Sequence, residues 1–372
     1  MKGHIKERGH NRYAIVLDAR DPQTGKRKRR WHSFRGTKRE AQKECAKLIS
    51  EIASGTYVEP SKQIFEAYFA AWLRDWAPMK AGPKCVETYG HLGRHLIAEI
   101  GTKPIAQIRG GDLNRAYRRV VDQGLSMRTA RHVHMLARRV FLHALKVGDI
   151  KRDPTVEIDA PKAPRKEALA LRTEEIAKML AGLQGIMRTI AVVGLGTGIR
   201  RGELCALRWV DVDLKAGTLA VKRSYEETRG GGLRLKEPKT AAGRRTISLA
   251  PSVVTCLQEH RKQQLEHRMR LGQGRQADAA LVFPGDEDQP WKPDLLTNAF
   301  GRAMASIGLP HRLHSLRHTH ASALIASGMD ILTISRRLGH TSAALTLGVY
   351  GHLISSKDGA AAAIEAVLKL PT

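Results

Sequence analysis

Pro154, Pro161 and Pro164 crowd into a charged, apolar-poor stretch that ends in PKAPRKE. A proline lacks the backbone N–H and clashes with the preceding helical turn, so no long helix or central strand crosses this region. A chain of 372 residues is also longer than one ordinary domain. We therefore place a linker at 153–167, with two smaller domains, 1–58 and 61–152, before it and an α-rich domain at 168–372 after it. The expected fold class is multidomain α+β: a small N-terminal β-sheet plus helix module, a helical middle domain, and a mainly α C-terminal domain with a small antiparallel sheet.

Residues 1–58 read as the β-plus-helix module. Arg12–Asp18 (RYAIVLD) and Arg29–Arg35 (RRWHSFR) alternate like strands on either side of a turn-rich DPQTGKRK. Thr37 with Glu40 forms a capping box that opens a helix running to about Ser54, where Gly55 closes it. Basic residues crowd the turn and the second strand, a layout that fits either a short sheet laid in a DNA groove or a solvated hairpin.

In residues 61–152, Ile64, Phe65, Tyr68, Phe69, Trp72, Leu73 and Trp76 recur at a helical period and give one wide apolar face, read here as core. Further helices are expected at 83–98, 110–123 and 126–147. The last carries Arg128, Arg131, Arg138 and Arg139, facing either phosphates or solvent. Beyond the linker, helices are expected near 173–194, 251–271, 293–307, 315–327, 330–338 and 357–369, with a strand–hairpin–strand around 217–249. The final helix (AAAAIEAVLKL) is amphipathic and suited to docking on its own chain or on a neighbouring subunit.

Lys and Arg outnumber Asp and Glu by 63 to 36, a net charge of +27, and the excess runs through every segment. That argues for a polyanion touched by several domains at once. The four cysteines are far apart and form no CxxC pair, so neither a disulfide framework nor a zinc site is indicated. No signal-peptide pattern follows Met1, and no apolar run is long enough for a membrane span. The expectation is a soluble, cytoplasmic protein.

Four separated polar patches carry the chemistry: TGIRRGEL around Arg200, EPKTAAGRR around Lys239, LHSLRHTH around His314 and Arg317, and LGHTSAALTLGVYGH from His340 to Tyr350. Two guanidiniums, an ammonium, two imidazoles and a phenol, without a carboxylate cluster, suit the neutralisation of a phosphodiester while an oxygen attacks its phosphorus. Thr197-Gly198 makes a turn, and Arg200 starts a helix from which it can bind two phosphate oxygens. Arg201 points elsewhere around that helix. Lys239 sits in a hairpin whose second strand is Arg244–Leu249, where it can donate a proton to a leaving oxygen; Lys236 is its competitor.

His314 and Arg317 lie three apart and share a helix face. His318 and His320 raise the rival reading of a metal site, but Ser315 stands where zinc hydrolases usually place Glu, and no carboxylate appears before Asp330. His318 is read as structural, and no metal or cofactor is expected. His340 follows Gly339, a helix C-cap, and precedes Thr341, an N-cap. Tyr350 stands ten residues on, at the end of a short helix. A phenol with a pKa near 10 needs surrounding positive charge to become a good attacker.

These patches, in this order, resemble the tyrosine recombinase family, specifically phage-type integrases. The resemblance covers the C-terminal half through T-G-x-R-x-x-E-L, P-K-T, H-x-x-R and L-G-H with a Tyr ten residues later. The helical middle resembles the family's core-binding domain, and residues 1–58 its arm-site-binding module. The resemblance implies that Tyr350 attacks the scissile phosphodiester to form a 3′-phosphotyrosyl link. Arg200 and Arg317 would stabilise the five-coordinate phosphorus, Lys239 would act as general acid, and His314 and His340 would assist proton transfer and hold the phosphate.

It implies double-stranded DNA attachment sites as substrate, a homotetramer exchanging strands through a Holliday junction, accessory DNA-bending or directionality proteins, and a bacterial host cell. Gly348 departs from the polar residue of many relatives. The rivals are a resolvase or conjugative-transposon recombinase, a type IB topoisomerase-like relaxing enzyme, and a non-catalytic DNA-binding regulator.

Overall fold

The computed structural model describes residues 2–20, 27–54, 61–164, 170–237, 243–274 and 276–351. The chain separates into two compact units, Met1–Pro164 and Arg165–Thr372.

The first unit begins with an antiparallel sheet of β1 (Lys2–Gly9), β2 (Arg12–Arg20) and β3 (Arg27–Arg35), in that spatial order. Strand β1 has no counterpart among the strands expected from the sequence. Its residues, KGHIKERG, are too charged to show alternation, and it is a strand because β2 offers it a ladder, with Ile5 opposite Ile15. Ile15 and Leu17 of β2 pack against Cys45 and Leu48 of α1 (Lys38–Ala53). The capping box is present: Glu40 accepts from the Thr37 backbone N–H at 2.8 Å, and the Thr37 hydroxyl accepts from the Glu40 N–H at 3.3 Å.

The aromatic stripe divides into α2 (Phe65–Ala71), a π-helical turn (Trp72–Trp76) and α3 (Ala77–Lys80). Phe65, Tyr68, Phe69 and Trp72 are buried, whereas Ile64 precedes the helix and is exposed. Phe65 stacks on Phe141 at 5.7 Å between centroids, joining the stripe to α4 (Pro83–Ile100), α5 (Gly110–Asp122) and α6 (Met127–Val147) in one core. On α6, Arg131 donates to the Pro161 carbonyl and Arg139 lies over the Tyr89 ring. Pro154–Glu157, within the stretch expected to be linker, is a 3-10 turn with Pro154 and Thr155 buried. Asp153 caps it, and Pro at the first helical position loses no hydrogen bond there.

The second unit is mainly helical: α7 (Thr173–Gly182), α8 (Gly185–Thr197), α9 (Arg201–Cys205), α10 (Pro251–Arg270), α11 (Pro293–Ser306), α12 (Leu313–Ala326), α13 (Ile331–Leu338) and α14 (Ala343–Tyr350). Helix α8 is apolar nearly all round and runs through the core with α7, α10 and α12 against it. The single helix expected over 173–194 is two, broken between Gly182 and Gly185.

Strands β4 (Val212–Asp213), β5 (Thr218–Val221) and β8 (Arg245–Ser248) form one sheet, while β6 (Ser224–Thr228) and β7 (Gly232–Lys236) form a separate two-stranded sheet among the described residues. From the sequence, 244–249 is expected to pair with the strand just before it. The structure pairs β8 with β5 instead, because that register buries Ile247 opposite Leu219 in the core. Lys239 and the expected helix 357–369 lie outside the described residues.

Among the described residues no helix is long and apolar enough to cross a membrane. Phe300 of α11 is fully buried in the second unit's core, so Phe300→Ala is expected to cost about 3–5 kcal/mol. Urea unfolding of the two proteins measures this, and a loss below about 1 kcal/mol contradicts the packing described.

Candidate active site

Helix α8 ends in Gly198, which takes the left-handed conformation (φ 63°), and a Cβ there would meet His320 at 2.7 Å. The turn delivers Arg200 in extended conformation to the start of α9. Its backbone N–H and Nη1 donate to the two carboxylate oxygens of Glu203 at 2.9 and 2.8 Å, and its Nη2 donates to the Gly339 carbonyl at 2.5 Å. Arg201 turns to α11 instead, bonding Asp294 at 2.6 Å.

Arg317 on α12 is buried and donates to the carbonyls of Gly198 (2.6 Å) and Leu338 (2.8 Å). Arg245 on β8 donates to the Arg337 carbonyl at 2.7 Å and to both oxygens of Glu203 at 3.1 and 2.8 Å. Three guanidiniums from three segments therefore occupy three consecutive carbonyls at the end of α13. Arg245 is not among the residues singled out from the sequence, because nothing in its local spacing marks a partner 42 positions away.

After Leu338, Gly339 (φ 66°) terminates α13 and turns the chain to His340. The Nδ1 of His340 shares a hydrogen bond with the Thr346 hydroxyl at 2.8 Å. The N-cap of α14 is Ser342 rather than the expected Thr341, without a side-chain capping bond. Tyr350 closes α14 and is buried against Ala321, Ile334 and Leu338. Its hydroxyl lies 2.6 Å from Nδ1 of His318.

His318, read from the sequence as structural, thus meets the phenol directly. Its signal is present in the spacing, since His318 stands one helical turn from His314, and the two rings meet edge to face at 4.6 Å. His320 faces the other way: its Nδ1–H donates to the Leu195 carbonyl at 2.8 Å and its Nε2 accepts from Arg337 at 3.1 Å. Lys236, the competitor of Lys239, is paired with Glu226 at 2.5 Å.

The structure gathers Arg200, His314, Arg317, His340 and Tyr350. Their electrostatics follow from burial and crowding. Burial and then the neighbouring Arg200 push Arg317 down to about 9, which leaves it charged at neutral pH. Burial, with Arg317 and Arg200 nearby, takes His340 to about 4; burial with His314 and Arg317 takes His318 to about 4. His314 is lowered by burial and by Arg317, Arg200 and Arg201. Burial pushes the Tyr350 phenol up to about 12, with Arg317 pulling against it. Burial alone would raise Glu203, but the guanidinium of Arg245 outweighs it and holds the carboxylate ionised.

A cavity of about 380 Å³ opens beside Arg200, Arg201, Arg312 and His314. Among the described residues no group of three or more His, Cys, Asp or Glu is placed to hold a metal ion. The arrangement is a cationic recess with uncharged imidazoles and a protonated phenol, able to receive an anion and raise an oxygen against it.

The phage integrase family profile matches residues 170–356, its central domain 62–160, and an Arm DNA-binding domain 4–52. A tyrosine recombinase XerC-like protein of Caldanaerobacter subterraneus subsp. tengcongensis is 26% identical over 374 residues, covering 95% of each chain. Among solved structures, the Tn1549 transposon integrase in complex with transposon right end DNA superposes with a TM-score of 0.70 at 23% identity, covering 82% of this chain and 100% of that one. A lambda integrase tetramer bound to a Holliday junction gives 0.56 at 18% identity, covering 91% and 95%. The chain belongs to the phage integrase family of tyrosine recombinases, site-specific DNA strand-exchange enzymes of mobile elements.

The depressed imidazoles make an acid-stability prediction. His318, His320 and His340 titrate near 4 when folded against 6.5 ordinarily, so the unfolded chain binds more protons between those values. Their contribution is complete above 6.5 and is lost as pH falls through 4. The melting temperature should fall steadily across that window; a flat profile contradicts the buried, neutral imidazoles.

Proposed function

We propose that this recombinase cleaves and rejoins DNA through Tyr350, integrating or excising a mobile element. The single observation that supports it is the convergence, from separate segments, of two charged guanidiniums and two uncharged imidazoles around one buried phenol. The Tyr350 oxygen attacks phosphorus, a 3′-phosphotyrosyl bond forms, and the bond to the 5′ oxygen breaks. Arg200 and Arg317 retain N–H donors beyond those given to carbonyls and place them where charge develops on the phosphoryl oxygens.

With its pKa near 12, the phenol must lose its proton as the bond forms, and the neutral imidazoles of His314 and His340 can relay it onward from the His318 ring that the hydroxyl meets at 2.6 Å. Lys239 donates the proton that the departing 5′ oxygen needs, a role that rests on its motif. The phosphotyrosyl linkage keeps the energy of the broken diester, so a second strand's 5′ hydroxyl reverses the reaction without ATP or metal.

Residues 1–58 take an arm site, 61–152 a core site, and 168–372 the chemistry, with 153–167 between them. A homotetramer on two duplexes, passing through a Holliday junction with accessory DNA-bending or directionality proteins, completes the proposed assembly; the lambda integrase tetramer on a Holliday junction and the Tn1549 integrase on transposon end DNA support its DNA and tetramer parts.

On a nicked suicide duplex, the unaltered protein should form a covalent protein–DNA adduct, and Tyr350→Phe should abolish it while leaving DNA affinity within about twofold. An adduct that persists in Tyr350→Phe removes this residue from the role. The affinity of both proteins should fall with salt, with a log–log slope of about −0.9 per phosphate neutralised.

A further inference from the structure

We infer that His318 is a positioning residue for the nucleophile, a role that rests on Tyr350 being the attacking group. Among the described residues of α14 only Thr346 and Tyr350 are buried. Leu345, Leu347 and Val349 are exposed, so the helix has little apolar face to hold it. Besides the packing of the Tyr350 ring on Ala321, Ile334 and Leu338, what holds it is polar: each buried residue shares a hydrogen bond with an imidazole, Thr346 with His340 at 2.8 Å and Tyr350 with His318 at 2.6 Å. His340 belongs to the turn that leads into α14, whereas His318 belongs to α12. The His318 bond is therefore the one that ties the phenolic oxygen to the helix carrying Arg317 and His314.

A phenol has one O–H to give, and an uncharged imidazole has one ring nitrogen that accepts. We take Tyr350 as the donor and Nδ1 as the acceptor, the arrangement that leaves the oxygen's lone pairs free for phosphorus and puts the imidazole proton on Nε2. Fixing the O–H fixes the two lone pairs of the oxygen, one of which must meet phosphorus. His318 is itself constrained, edge to face with His314 at 83° between planes and tilted on the Tyr350 ring at 5.6 Å. One turn of α12 thus presents the imidazole and guanidinium proposed to hold the phosphate together with the acceptor that aims the attacking oxygen.

The test uses the full chain on the nicked suicide duplex. His318→Phe keeps the ring and its packing but removes the acceptor. It should slow single-turnover adduct formation by about 10- to 100-fold, the loss expected when a reacting atom is misplaced by about 1 Å, with DNA affinity unchanged. His318→Asn, whose amide oxygen reaches the position of Nδ1, should recover most of that rate. A Phe variant as fast as the unaltered protein, or an Asn variant no faster than Phe, overturns the inference.

A readout independent of activity is the ¹⁵N resonance of His318 Nδ1, which should move on Tyr350→Phe; an unmoved resonance overturns the bond. Absence of any adduct in the unaltered protein overturns the functional reading itself, and the resonance still reports separately on the contact.

Discussion

The site depends on how the last carbonyls of α13 are satisfied. A helix ends with carbonyls that have no partner within it, at the negative end of its dipole. Here Arg337, Leu338 and Gly339 offer those oxygens in succession to Arg245, Arg317 and Arg200. Each arginine comes from a different segment, so one helix end sets the positions of β8, α12 and the start of α9 together. Glu203 completes the arrangement by binding Arg200 and Arg245 at once. It is buried with Arg245, and removing either partner from such a pair typically costs about 3–5 kcal/mol.

Three guanidiniums facing one buried carboxylate leave positive charge unanswered. Burial first, and then crowding, keeps the imidazoles of His318 and His340 neutral and depresses the Arg317 guanidinium. An arriving phosphodiester reverses that pressure, because an anion stabilises every neighbouring cation and makes imidazole protonation easier. In the reaction proposed above, substrate binding and readiness for proton transfer would thereby be linked through the same charges. The phenol, buried and raised to about 12, stays protonated until that anion and its transfer partners are in place.

Much of this is legible in the sequence because it is written in local spacing. The Thr37–Glu40 box, the aromatic stripe beginning at Phe65, and the Gly339 stop before His340 each encode a structure within a few residues. The three-residue step from His314 to Arg317 likewise places both on one helix. What is not legible depends on distant partners. Strand β1 has no pattern of its own, and β8 is defined by burial of Ile247 against Leu219 rather than by its neighbour β7. Arg245 looks ordinary until folding brings Glu203 to it, and the spacing that puts His318 one turn from His314 does not reveal Tyr350 as its partner.

The most direct measurement is a crystal structure of the chain on an attachment-site duplex with orthovanadate at the scissile position. The account predicts vanadium bound to the Tyr350 oxygen, with Arg200 and Arg317 donating to its equatorial oxygens while the end of α13 still holds Arg245. A vanadate centre reached by neither guanidinium, or joined to a different side chain, contradicts it.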